Sequence, residues 1–396
     1  MKKGVAITGM GITSALGFGI ESNYNALLSH ESGISFSQIL DTIHTHLPVG
    51  EIKRSDLELQ DELNLPSDHS ITRAALFAIY AIKEAVLKSG LSEVQLLKTG
   101  FISGSSVGGI DATEKYYQNY ESSPENRRFI RAQHPGFTTS QIAEYFRLNN
   151  YNTTISTACS SGANAIMLGS RLIRSGKLDR VIVGGTDCLT KFTLNGFYSL
   201  KILSEEHCKP FDENRTGLNL GEGAAYLVLE ADHLLNNKKV LGRITGYGNA
   251  NDAFHQTASS ETGEGAFLAM KKAIQSSGLK PAQIDYINAH GTATRNNDLS
   301  ESIAIKRIFE DHIPAFSSTK GFTGHTLAAA GALEAVFSIL SLQNDKQFAN
   351  LNFSETMAET NLKPVKSSRS VSMQHILSNS FGFGGNCTSL IFSKNG

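Results

Sequence analysis

The chain is short of net charge, of cysteine and of long apolar runs, and each shortage excludes a class of function. Across 396 residues, 36 lysines and arginines nearly balance 37 acidic residues, leaving a formal charge of −1. The basic footprint of a nucleic-acid binder is missing, and no basic run suits an anionic membrane surface. No stretch approaches about 18 uninterrupted apolar residues, so no transmembrane helix is predicted. The opening MKKGVAITGMGITSALG begins with two lysines, as a secretory leader does. Thr8, Gly9, Gly11, Thr13 and Ser14, however, interrupt the apolar core such a leader needs. The four cysteines (159, 188, 208 and 387) show neither CxxC pairing nor zinc spacing, and reduced thiols are expected. These features predict a cytoplasmic protein. GMGITS at 9–14 starts like a dinucleotide fingerprint but has Ser14 where the third glycine belongs. With no P-loop either, no nucleotide cofactor is expected.

What the chain does have is 36 glycines and a pattern that occurs twice. Its length allows two cores, since single cores rarely grow past about 250–300 residues. AITGMG at 6–11 is echoed by RITGYG at 243–248, and AVLKSGLSEVQ at 85–95 by AIQSSGLKPAQ at 273–283. The second pair predicts helices ending at Gly90 and Gly278. Strand-like runs follow in TGFISGSS and IDYINAHG, then small-residue helix openings in STACSSGANAI and STKGFTGHTLAAAGALEA. Each half closes on a strand and a glycine turn, RVIVGGTD and ILSNSFGFGG. The shared order marks an internal duplication, with halves at 1–238 and 239–396 bridged by ADHLLNNKKVLG. Strands alternating with helices predict a mostly parallel α/β sheet in each half. The first half also carries insertions around HTHLPVGEIKRSDLELQDELNLPSDHS and at 115–137, of the kind that sits over a site or an interface.

Four stretches could carry chemistry. In ISTACSSGANA, Cys159 follows a strand-like run and precedes residues at helical spacing. It is either a buried thiol packed as a small hydrophobe or a nucleophile whose pKa a helix N-terminus lowers. In NAHGTATRNND, His290 ends the strand 284–289, at the edge where ligands bind in open α/β sheets. By itself it could equally be a satisfied strand-end histidine. STKGFTGHTLAAAGALE contributes Lys320, His325 and Glu334, which would otherwise be a solvated lysine, a helix cap and a helix-face charge. NSFGFGGN is a glycine-rich turn able to bring backbone N–H groups close to a ligand. If the halves superpose, Cys159 and Lys320 occupy equivalent strand-to-helix elements, with His290 on the same side. A cysteine nucleophile with two histidine donors suits acyl transfer.

The motifs TACSSG, AHGTAT, STKGFTGH, KPFDENR…GEGA and SFGFGG, in this order and spacing, cover essentially the whole chain. On them the sequence resembles the β-ketoacyl-[acyl-carrier-protein] synthases, elongating condensing enzymes of the thiolase-like fold, and their type II subgroup most closely. The resemblance implies two duplicated βαβαβαββ halves in a five-layered α-β-α-β-α stack. It also implies decarboxylative Claisen condensation of an acyl thioester with malonyl-acyl carrier protein, in fatty acid or polyketide (including polyene) elongation. Cys159 would be the nucleophile, and the Cys159 and Phe383 N–H groups the oxyanion hole. His290 and His325 would be donors to the enolate, with Lys320 orienting near His325 and Glu334 in structural support. Thr292 and Thr294 would hold the phosphopantetheine arm, Phe383 would gate beside Gly384, and Val107 would line the acyl pocket. The implied partners are acyl carrier protein and a second copy or a related subunit, with no metal and no cofactor. Lys209, Thr216, Asn219, Ala225 and Arg295 depart from the common pattern, and the basic cluster before the helix near residue 70 is reduced to about Arg73. A non-catalytic chain-length-factor-like subunit and a degradative thiolase are the rival readings. The intact Cys159, His290 and His325 argue against the first. Cys387 is the one candidate for the second cysteine a thiolase uses.

Overall fold

The computed structural model describes residues 4–66 and 70–395, so Lys2, Lys3 and positions 67–69 of the first insertion lie outside the described residues. The first half runs β1 (Val5–Ser14), α1 (Arg73–Ser89), β2 (Gly100–Gly104), α2 (Pro135–Tyr145), β3 (Tyr151–Ile155), α3 (Ser161–Arg174), β4 (Arg180–Asp187) and β5 (Gly223–Glu230). The second repeats that βαβαβαββ order. It runs β6 (Gly242–Asn251), α4 (Glu264–Ser277), β7 (Tyr286–Asn288), α5 (Arg295–Phe309), β8 (Ala315–Ser317), α6 (Ala330–Asn344), β9 (His375–Phe381) and β10 (Asn386–Ser393). Helices α1 and α4 end as the sequence predicts, on Gly90 and Gly278 in the left-handed conformation.

These strands join edge to edge as β8-β7-β9-β10-β6-β1-β5-β4-β2-β3. The order β8-β7-β9-β10-β6 is β3-β2-β4-β5-β1 with five added to each number. The duplication therefore extends to topology. The sheet is mixed, which corrects the expectation of mostly parallel pairing. Strands β3, β2 and β4 pair in parallel, as do β8, β7 and β9, but β4-β5-β1 and β9-β10-β6 are antiparallel, as is the central β1-β6 junction. The tight turn between β9 and β10 accounts for one of these pairs, since it can join only antiparallel neighbours.

Residue alternation along the strands sets the layers. On β5, Tyr226 and Val228 pack outward in one core with α1, while Leu227 and Leu229 face a central core with α3 and α6. On β10, Ile391 faces a third core with α4, while Leu390 and Phe392 join the central one. The order is α1, sheet, α3 with α6, sheet, α4: five layers. Gly9 and Gly11 of the first echo bring β1 against α1, where a Cβ would collide with the carbonyl oxygens of Ala85 and Ala81. Gly246 and Gly248 do the same for β6 against α4 at Ala273 and Ala269. The glycine echo is thus a packing requirement, not a nucleotide motif. Residues Leu327–Asn344 have a mean hydropathy of 1.3, long and apolar enough to span a membrane, because α6 is the central-layer helix and 89% of that stretch is buried.

Candidate active site

The chemistry-bearing segments leave the sheet at one edge. Cys159 follows β3, His290 follows β7, Lys320 and His325 follow β8, and Phe383 sits in the β9–β10 turn. Cys159, His290, His325, Thr292, Thr294 and Phe383 line one cavity of about 580 Å³. It is the kind of ligand site expected outside the carboxyl ends of parallel strands.

Cys159 is 6% exposed and precedes Ser160, the N-cap of α3. Ala158 before it has φ 51°, a strained left-handed conformation. The backbone N–H groups of Phe383 and of Cys159 itself lie near the sulfur and favour its thiolate form. The expected fall in pKa is not observed. Burial pushes the thiol up to about 11, against the opposing pull of Lys320 and the two N–H groups. Desolvation of the thiolate outweighs the helix terminus, and the resting nucleophile is protonated. Alkylation of Cys159 should therefore keep accelerating from about pH 7 to 10, tracking its thiolate fraction. A labelling rate that levels off below pH 8 would contradict this.

The two histidine rings stand nearly perpendicular, with centroids 5.4 Å apart. Burial first, then the charge of Lys320, holds both far below the ordinary histidine range, so both are neutral. Their tautomers follow from their partners. Lys320 Nζ donates to His290 Nδ1 at 3.3 Å, and the Leu327 N–H donates to His325 Nδ1 at 3.2 Å. Each Nε2 therefore carries the proton. Lys320 also donates to the His290 carbonyl at 2.6 Å and is ion-paired with buried Glu334. Its hydrogen bonds fall on His290, while its charge acts on both rings, His325 included. The His325 backbone is pinned instead by Asn219 and Gly221, where its N–H donates to the Asn219 oxygen at 2.7 Å. One role of the GLNLGEGAA stretch is thus to hold a histidine.

Two carboxylates on α5 complete the site and were missed in the sequence. Glu301 accepts from the N–H groups of His290 and Gly291 at 2.9 and 2.8 Å, and burial pushes it up to about 7. Asp298 accepts from the N–H of Ala293 and of Phe211. Their three-residue spacing on one helix was the available signal. Thr292 and Thr294 share a 2.8 Å hydroxyl hydrogen bond.

Two expected lining residues lie off the cavity wall. Val107 does not itself line the cavity; it packs in the same apolar cluster as Phe197, Ile202 and Leu218, which do. Gly384 also lies off the wall, its N–H donating to the Gln256 oxygen and its φ of 77° suiting only glycine. Arg73, the remnant of the basic cluster, is 7% exposed and paired with Glu222 and Asp56. Cys387 does line the cavity, but burial raises its thiol far above the ordinary value. Phe383 stacks on Phe197, ring centroids 5.6 Å apart.

The family model described as the β-ketoacyl synthase N-terminal domain matches residues 2–233, and the one for the C-terminal domain matches 241–354. The chain belongs to the β-ketoacyl synthase family. It is 35% identical to a putative mitochondrial 3-oxoacyl-[acyl-carrier-protein] synthase of Schizosaccharomyces pombe, over 99% of each chain. It is 34% identical to 3-oxoacyl-[acyl-carrier-protein] synthase 2 of Rhizobium meliloti, over 98% of each. Among solved structures, the ishigamide ketosynthase/chain length factor superposes with a TM-score of 0.92 at 28% identity, covering 100% of both chains. A ketosynthase in complex with its chain length factor from Xenorhabdus doucetiae gives 0.85 at 30% identity, covering 99% of this chain and 98% of that one. The five-layered duplication described above is the fold of this β-ketoacyl synthase.

Proposed function

We propose that this chain condenses an acyl group held on Cys159 with malonyl-acyl carrier protein, releasing CO₂ and a β-ketoacyl-acyl carrier protein. The convergence of one cysteine and two Nε2-protonated histidines on one cavity carries the reading. Thioester exchange costs little, because the incoming acyl group passes from one sulfur to another and the Cys159 proton ends on the departing carrier thiol. The Cys159 and Phe383 N–H groups near the sulfur are placed for the tetrahedral oxyanion. Malonyl thioester then loses CO₂, and the enolate oxygen takes hydrogen bonds from His290 and His325. The enolate carbon attacks the acyl thioester and frees Cys159. Lys320 orients His290 from behind the cavity. Substrates arrive on the phosphopantetheine arm, past Thr292 and Thr294, and no further cofactor is invoked. The four free thiols fit a cytoplasmic setting.

A partner subunit is the second reading, because two of the similar structures are described as a ketosynthase with a chain length factor. The deciding assay supplies malonyl- and acyl-carrier proteins across chain lengths, with and without a related subunit. Condensation by the chain alone supports a self-sufficient dimer, and activity only with the partner supports a heterodimer. Neither product nor CO₂ under both conditions would refute the reading. In the same assay Val107→Phe should slow long acyl donors and spare short ones. When Phe383 leaves Phe197, a long chain runs into the cluster holding Val107, where overpacking costs roughly 1–3 kcal/mol. Equal losses at every length would contradict a tunnel there.

A further inference from the structure

We infer that Asn386 is a positioning residue, a polar clamp that holds the gate turn in register with the nucleophile loop. Asn386 opens β10, directly after the left-handed Gly384 and Gly385. A single oxygen, Asn386 Oδ1, accepts from Ser160 Oγ at 2.8 Å, Asn164 Nδ2 at 2.8 Å and Asn249 Nδ2 at 2.9 Å. Ser160 is the residue after Cys159, and Asn164 lies on the first turn of α3. Asn164 Nδ2 also donates to Thr157 Oγ1 at 2.9 Å, and Asn164 Oδ1 accepts from Thr388 Oγ1 at 2.8 Å. Asn249 on β6 donates to Thr388 Oγ1 at 2.9 Å. The network thus joins β6, β10, α3 and the loop carrying Cys159.

The gate turn has its other end on the same loop. The Gly382 N–H donates to the Asn386 carbonyl at 2.9 Å. A Cβ on Gly382 would lie 2.8 Å from the Thr157 oxygen and 3.1 Å from the Cys159 nitrogen. Phe383, between these two anchors, supplies one of the N–H groups at the Cys159 sulfur. A shift of β10 against α3 therefore moves that donor directly. The histidines are held by other elements: His290 by Glu301 and Lys320, His325 by Asn219 and Leu327. The clamp should matter for acylation of Cys159, which uses the Phe383 N–H, more than for decarboxylation, which uses the histidines.

This inference rests on the condensing activity proposed above, and the wild-type protein tests that separately. Wild-type protein that neither self-acylates nor releases CO₂ removes the proposed function; the comparison below applies when it does both. Asn386→Leu keeps the branched shape and heavy-atom count and deletes the acceptor. It should slow self-acylation from acyl-carrier protein roughly ten-fold relative to CO₂ release from malonyl-carrier protein, the loss of about one buried hydrogen bond's worth of alignment. Asn386→Asp keeps the accepting oxygen and should restore the ratio to within about two-fold. Ser160→Ala deletes one donor and should shift the ratio in the same direction by a smaller factor, and it is the variant to read if Asn386→Leu does not fold. Equal losses in both half-reactions, an unchanged ratio, or an Asp variant as impaired as Leu would each overturn the clamp.

Discussion

Cys159→Ser should form no acyl-enzyme when incubated with acyl-carrier protein, as read by intact mass. A serine hydroxyl at this position needs a base, and neither histidine offers one. Both histidines accept at Nδ1 and carry the proton on Nε2, so neither ring has a free nitrogen facing the cavity. The thiol works although burial raises it to about 11, because sulfur remains nucleophilic at a small thiolate fraction. Condensation should therefore fall to background, while CO₂ release, which depends on the histidines, should persist. Cys159→Gln separates the two steps further: its side-chain amide fills the space of a thioester, and decarboxylation should continue without acylation. An acyl adduct on any residue other than Cys159 in the wild-type protein would sink the assignment. Loss of CO₂ release in the glutamine variant would weaken the division of labour between sulfur and imidazoles.

His290→Ala and His325→Ala should each lower decarboxylation of malonyl-carrier protein by ~10²–10³-fold, the usual effect of deleting one positioned donor to an oxyanion. Both donors serve one enolate oxygen, so the double variant should lose far less than the product of the two single losses. His290→Ala should still self-acylate measurably, because the N–H groups at the Cys159 sulfur do not depend on its ring. Normal condensation by both single variants would end the two-donor mechanism. Removal of His290 also leaves Lys320 without its ring partner, though Glu334 and the residue-290 carbonyl still hold the ammonium.

Much of this was legible in the chain. Local rules suffice for the helices ending on Gly90 and Gly278, for the small-residue run after Cys159, and for the repeated β-G-x-G strands that bring a helix close. Each depends on neighbours a few residues away, and the same signals recurring in the same order exposed the duplication. The reactive residues stood out because Cys159, His290 and His325 occupy strand ends beside glycine or threonine, where a side chain reaches a cavity rather than a core.

The chemical state of those residues was settled only by the tertiary structure, because it depends on groups distant in sequence. Arg73 is paired with Glu222, 149 residues away. Burial, a property of the whole fold, turned an expected thiolate into a protonated thiol. Lys320 donates to His290, 30 residues away, while its charge also reaches His325. The antiparallel returns of β5 and β10, the packing of Val107 with Phe197, Ile202 and Leu218, and the Asn386 contact with Ser160 across 226 residues have the same origin. Sequence determined the reactive atoms and the elements that carry them. Their protonation, orientation and mutual register were decided by long-range packing, which no local pattern encodes.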